Sequence, residues 1–281
     1  KDAGWSTPSL DAIAATHDAP TTVVFAFAPS CFIDDAAPLE QLARAFGKSH
    51  IVGCSTAGEI HDTRVADGSI VVAVAHFERT GVSYGAAPVP TPEDSFSAGV
   101  ALARQMMAVD LRGVLMFSDG LGVNGSELVR GANSVLPETV IVTGGLAGDG
   151  DRFRQTWVLD RGKPRKNVVV AVGLHGEQVR IGHGSKGGWD IFGPERVVTR
   201  SKGNVLFELD GKPALELYKR YLGERAHGLP ATALLFPLPL RSRGDDAKSL
   251  VRTVLGVNEQ EQSMTFAGDV PEGYLAQLMR A

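Results

Sequence analysis

No apolar run in the 281-residue chain approaches the roughly 20 residues of a bilayer-crossing helix, so a helical membrane protein is not expected. There is no basic stripe either. Twenty-eight basic and 32 acidic side chains give a net charge of −4 spread along the chain, which argues against nucleic acid as a partner. Only two cysteines are present, Cys31 and Cys54, and no His-x-x-x-His pair, so neither a disulfide framework nor a zinc site is legible. A reducing, cytoplasmic setting is the expectation. The opening Lys1-Asp2-Ala3-Gly4-Trp5 is followed by no apolar core, so no signal peptide is read there, and the absence of Met at position 1 points to a processed or trimmed start. Nothing is read as a disordered tail: 43% apolar and 21% charged residues describe an ordinary globular protein. The length suits two or three packed units sharing a core.

What the chain does have is a repeat. Val23-Val24-Phe25-Ala26-Phe27 leads through a helical stretch into Ile51-Val52-Gly53-Cys54-Ser55-Thr56-Ala57-Gly58-Glu59. Gly113-Val114-Leu115-Met116-Phe117 then leads into Ile141-Val142-Thr143-Gly144-Gly145-Leu146-Ala147-Gly148-Asp149, and both pairs of segments align at an offset of 90. Ile51, Val52, Ala57 and Gly58 are identical to Ile141, Val142, Ala147 and Gly148. Ile70–Val74 matches Val168–Val172 at an offset of 98, and three matches in one order suggest duplication. Both copies place small polar residues where an apolar strand runs out, which is where α/β sheets present backbone N–H groups to ligands.

Periodicity predicts helices over 9–17, 38–46, 96–107, 125–136 and 213–222, with a final helix over 274–279. Strands are expected near 51–54, 69–77, 82–87, 154–159, 168–174, 179–184, 196–201, 205–209, 234–240, 251–257 and 263–267. The 69–77 and 82–87 strands are read as a hairpin, and 186–194 as a glycine-rich loop tethered by Trp189 and Phe192. The fold class is α/β: two duplicated strand-helix-multistrand units, 1–92 and 93–185, whose mixed sheets pack together with helices outward. A third α/β module, 186–281, is read as incomplete at its C-terminal end.

Gly53-Cys54-Ser55-Thr56-Ala57-Gly58-Glu59, Gly144-Gly145-Leu146-Ala147-Gly148-Asp149, Gly211-Lys212-Pro213-Ala214 and Phe266-Ala267-Gly268-Asp269 together resemble the signatures of the FIST sensory-domain family. The resemblance spans nearly the whole chain. It implies a cytoplasmic ligand-sensing domain of bacterial signalling, with amino acids among the proposed ligands. A nitric-oxide-sensing subset binds haem and regulates histidine kinases.

The ligand site expected from the residues is built from Cys54, Ser55, Thr56, Gly58 and Glu59 of the first loop and Gly144, Gly145 and Asp149 of the second. Thr156, Trp157 and Trp189 supply walls. Backbone and hydroxyl donors suit a carboxylate, and Glu59 and Asp149 suit an ammonium group; the plainer role for the two acids is to cap backbone amides. Cys54 or Ser55 as a hydrolase nucleophile lacks a legible base. Gly144-Gly145-x-x-Gly148-x-Gly150 resembles a phosphate loop, but a strand rather than a helix is expected after it. Haem needs one axial ligand, and His183 and His175 are the candidates. The function expected is a non-catalytic small-ligand sensor signalling through a partner or fused domain, with a haem-based nitric oxide sensor acting on a histidine kinase, or a hydrolase, as the alternatives. No cofactor is called for by the main reading, and no membrane or nucleic-acid partner.

Overall fold

The computed structural model describes residues 5, 9–182, 184, 187–244 and 249–281. The described residues fall into two compact units, the first within 1–123, 128–150 and 154–183, the second within 124–127, 151–153 and 184–281.

The first unit begins with α1 (Leu10–His17), capped by the Ser9 hydroxyl on the Ala12 amide, then β1 (Thr22–Pro29) and α2 (Ala37–Ala45). β2 (His50–Thr56), a short β3 (Glu59–His61) and β4 (Arg64–Ala66), β5 (Val71–His76) and β6 (Gly81–Pro88) follow. Next come α3 (Ser95–Met106), β7 (Leu111–Ser118), α4 (Gly125–Asn133) and β8 (Ile141–Leu146), with β9 (Val158–Asp160), β10 (Lys163–Arg165) and β11 (Val168–His175) closing the unit. One sheet runs β10-β9-β2-β1-β5 and the other β6-β11-β7-β8. In each, a parallel pair (β1 with β2, β7 with β8) is flanked by an antiparallel strand (β5, β11). The sheets do not sort by sequence half. β6 pairs with β11, and β9 pairs with β2 through Cys54 and Val158.

Alternation along the strands makes three apolar layers. Val23, Val52, Val158, Phe117, Val170 and Val172 pack between the sheets, with Phe25 and Phe27 edge-on to Phe117. Val24, Ala26 and Ile51 face Leu39, Leu42 and Phe46 of the α2 segment, while Val114, Met116 and Ala171 face Leu102 of α3 and Leu128 of α4. The result is helix, sheet, sheet, helix. Each fully buried Leu or Phe in these layers contributes about 1.5–3 kcal/mol.

The register corrects the sequence alignment by one residue. Phe27 pairs with Cys54 and Phe117 with Gly145, and Val23 with His50 as Gly113 with Ile141, so β8 follows β2 at an offset of 91 rather than 90. Burial agrees: Ile51 and Val142 both face helices, whereas Val52 lies between the sheets. A slip of one residue exchanges the faces of a strand, and counting identities cannot detect it. The true counterparts are Gly53 and Gly144, at φ 148° and 149°. A Cβ on Gly53 would stand 1.8 Å from the carbonyl oxygen of Ala26, and one on Gly144 1.9 Å from that of Met116. Only glycine lets each parallel pair approach so closely.

The second unit holds β12 (Asp190–Lys202), β13 (Val205–Leu209), β14 (Lys212–Pro213), α5 (Ala214–Leu222), β15 (Leu238–Arg241), β16 (Ser249–Arg252), β17 (Val254–Asn258), β18 (Ser263–Phe266) and β19 (Leu275–Arg280). Its curled sheet runs β16-β15-β19-β12-β13-β18-β17, with β14 on β13. Leu215, Tyr218 and Leu222 of α5 are buried against it, and the Tyr218 hydroxyl donates to the Phe236 carbonyl at 2.7 Å.

Several local expectations differ from this structure. β5 and β6 do not form a hairpin, because each pairs into a different sheet. The 154–159 strand shortens to Val158–Asp160, residues 179–182 carry no strand, and β12 takes in most of the expected 186–194 loop. The expected terminal helix is β19, an inner strand whose Ala276 and Leu278 alternate inward. Its Leu-Ala-Gln-Leu-Met composition favours helix, and pairing on both edges overrides that preference.

Candidate functional site

The C-terminal ends of the parallel strands in the two sheets meet. The Gly148 amide donates to the Ser55 carbonyl at 2.8 Å, and the Ala147 amide to that of Ser118 at 2.8 Å. Ser55 is fully buried; its amide donates to the Trp157 carbonyl at 2.9 Å and its hydroxyl accepts the Trp157 amide at 3.1 Å. The expected first and second loops are therefore in contact, and Ser55 is the rivet between them.

Three buried carboxylates collect around this seam. Glu59 accepts the Thr56 hydroxyl at 2.7 Å and, more loosely, the amide and hydroxyl of Ser69 at 3.4 Å each. Asp149 accepts the Ser30 hydroxyl and the amides of Arg154 at 2.8 Å and Gln155 at 3.1 Å. Asp119 accepts the amides of Leu121 (2.9 Å), Gly122 (3.1 Å) and Asn167 (3.1 Å) and the hydroxyl of Thr156 (2.8 Å). Taking a carboxylate out of water is costly, and these donors offset the cost while fixing the loops.

The other expected residues take definite places. Thr156 relays between Asp119 and the Gly120 amide, and Trp157 is wholly buried with its indole N–H on the Ser30 carbonyl at 3.1 Å. Trp157 is therefore a core pillar that braces the seam. Gly58 leads into β3, while Gly144 and Gly145 are exposed. Trp189 belongs to the second unit, half-buried just before β12. Burial pushes the Cys54 thiol up to about 12, which keeps it protonated and unreactive near neutrality. The Ser55 hydroxyl is bonded to an amide rather than to a base. His175 has both ring nitrogens engaged, Nδ1 with Asp110 at 3.3 Å and Nε2 with the Ser83 hydroxyl at 2.7 Å, so it presents no free nitrogen to a haem iron. His183 lies outside the described residues. Among the described residues no three His, Cys, Asp or Glu side chains group as a metal site, and no helix is long and apolar enough to cross a membrane.

Asp119 and Ser30 were not expected. Ser118-Asp119-Gly120 ends β7 with the same small polar signal that marked the other two loops, so it was legible. Ser30 carried no signal, since its partner Asp149 lies 119 positions away.

The FIST N domain family model matches residues 22–212, more than half of the chain, and the FIST C domain model matches residues 214–281. No curated protein and no solved structure matches the chain.

Proposed function

The chain belongs to the FIST family, whose members are sensory domains binding small ligands, and from that premise we propose that its joined loops bind a small zwitterion of the amino-acid class. Occupancy is passed to a partner, such as a histidine kinase, or to a fused output domain. The observation that carries this reading is the polar seam itself. The members of a hydrogen-bonded network are coupled, so a ligand that competes for one of them biases the whole arrangement. Glu59 is the member open to exchange, because its two contacts to Ser69 are at the long limit of hydrogen bonding. An incoming ammonium group would replace them and free the β3–β4 hairpin. The buried, protonated thiol of Cys54 supports a binding role over a hydrolytic one. The shared strand plan of the two sheets supports an origin by duplication.

The test is a thermal-shift screen of amino acids on the full chain, followed by calorimetry of each hit. A hit bound at least tenfold more weakly by a folded Glu59→Gln variant supports the reading. No hit, or a hit indifferent to Glu59→Gln, overturns it.

A further inference from the structure

The β9–β10 hairpin of the first sheet turns through Arg161-Gly162, both at positive φ (53° and 78°). A two-residue hairpin turn of this kind favours Asn, Asp or Gly, so arginine is held here against its backbone preference. The turn is also seated, since a Cβ on Gly162 would lie 2.5 Å from that of Ala43. The guanidinium of Arg161 sits 5.7 Å from the ring centroid of Tyr84, which belongs to β6 of the other sheet. That ring stacks on His50, with centroids 6.2 Å apart and planes 3° from parallel, and its hydroxyl donates to Asp160 at 2.7 Å.

The charges do not balance. Asp160, the one carboxylate in the group, is already answered by the Tyr84 hydroxyl and by Arg165 Nε at 3.2 Å. Arg161 and Lys163 are exposed and have no carboxylate partner among the described residues. With Gln105 they border an open cleft of about 340 Å³, and a second cleft of about 430 Å³ shares Tyr84 and Arg161 and continues to Ser49 and His50. A peptide strand is a poor fit for this ground. Gln105 covers the β6 edge with its own amide, donating to the Ala86 carbonyl at 3.0 Å and accepting the Ala86 amide at 3.2 Å, and Pro164 removes an N–H from β10.

We propose that the Tyr84–Arg161 cleft binds a small dianion, a phosphate ester or a dicarboxylate, with Arg161 supplying a planar pair of N–H donors and Lys163 a mobile ammonium. The site shares no residue with the joined loops and stands whether or not they take a zwitterion. Its donors come from one sheet and Tyr84 from the other, so the site lies where Tyr84 and Asp160 already join the two sheets.

The experiment is calorimetric titration of the full chain with inorganic phosphate and with malonate, each against chloride at equal ionic strength. Saturable binding of either dianion is expected, weakened at least tenfold in Arg161→Gly and in Lys163→Gln and unchanged in Lys202→Gln. Glycine accepts the left-handed turn, so Arg161→Gly removes the guanidinium while sparing the hairpin. Preference for phosphate assigns a phosphate ester, and preference for malonate a dicarboxylate. Absence of saturable binding beyond chloride, or equal binding by both cleft variants, overturns the proposal. An amino-acid hit lost in Glu59→Gln alongside such a failure would leave the sensory reading standing.

Discussion

After β2, Glu59 is held by neighbours in sequence, Thr56 three residues away and Ser69 ten. After β8, Asp149 reaches Ser30, 119 residues away and just past the end of β1, besides two amides of its own loop. The strands beneath differ as well: β2 is internal to its sheet, between β1 and β9, whereas β8 is the edge of its own. Segments built on one strand plan thus anchor their carboxylates differently, Glu59 within its own segment and Asp149 on the residue that follows β1. By the register of the two parallel pairs Asp149 stands opposite Gly58 rather than Glu59, so the two carboxylates are not equivalent positions and need not share a role.

The largest effect should come from the glycines that open both parallel pairs. Gly53→Ala forces a Cβ into the Ala26 carbonyl within an internal strand and should cost about 4 kcal/mol, or prevent folding. Gly144→Ala makes the same clash at an edge that can yield, and about half that loss is expected by denaturant unfolding. Equal costs would break the contrast between internal and edge strands.

Next come the carboxylates. Asp119→Ala orphans three amides and a hydroxyl and should cost about 2–3 kcal/mol, while Glu59→Ala gives up one good bond and two long ones and should cost about 1 kcal/mol. The reverse order would show that Glu59, not Asp119, is the stronger anchor of the seam.

The register pairs Cys54 with Gly145 as counterparts, one buried in an internal strand, the other exposed at an edge. With its thiol pushed up to about 12, Cys54 should resist a thiol reagent at neutral pH until the chain unfolds, while the exposed Cys31 reacts in the native state. Native labelling of Cys54 would mean that the inter-sheet layer opens.

The smallest effect is one of pH. β2 begins at His50 where β8 begins at Ile141, and burial holds His50 below its ordinary value of 6.5. The folded state then binds fewer protons than the unfolded state, so stability from this group is complete above pH 6.5 and is lost as pH falls through the lowered value. His50→Gln should flatten the decline of melting temperature below that pH.

Much of this was legible. Residues 9–17, 38–46 and 96–107 gave helices within a residue of α1, α2 and α3, because apolar spacing and capping residues are local signals. The strand-end loops were found from their small polar residues. Partner choice was not legible: β6 leaves β5 for β11, and nothing within residues 69–88 encodes it. Nor was the Tyr84–Arg161 pair, which brings together a strand and a hairpin turn 77 positions apart.

The sequence by itself determined that two strand-helix units recur, that their helices lie outward and that polar loops follow their parallel strands, since periods of 2 and 3.6 and turn chemistry are written in neighbouring residues. Only the tertiary structure decided the one-residue register between the two parallel pairs, the exchange of β6 and β9–β10 between sheets, and the engagement of Asp149 by Ser30 and of Asp119 by Thr156 and Asn167. Those depend on which distant backbone groups remain to be satisfied once the apolar faces have been buried, and that count exists only in the folded chain.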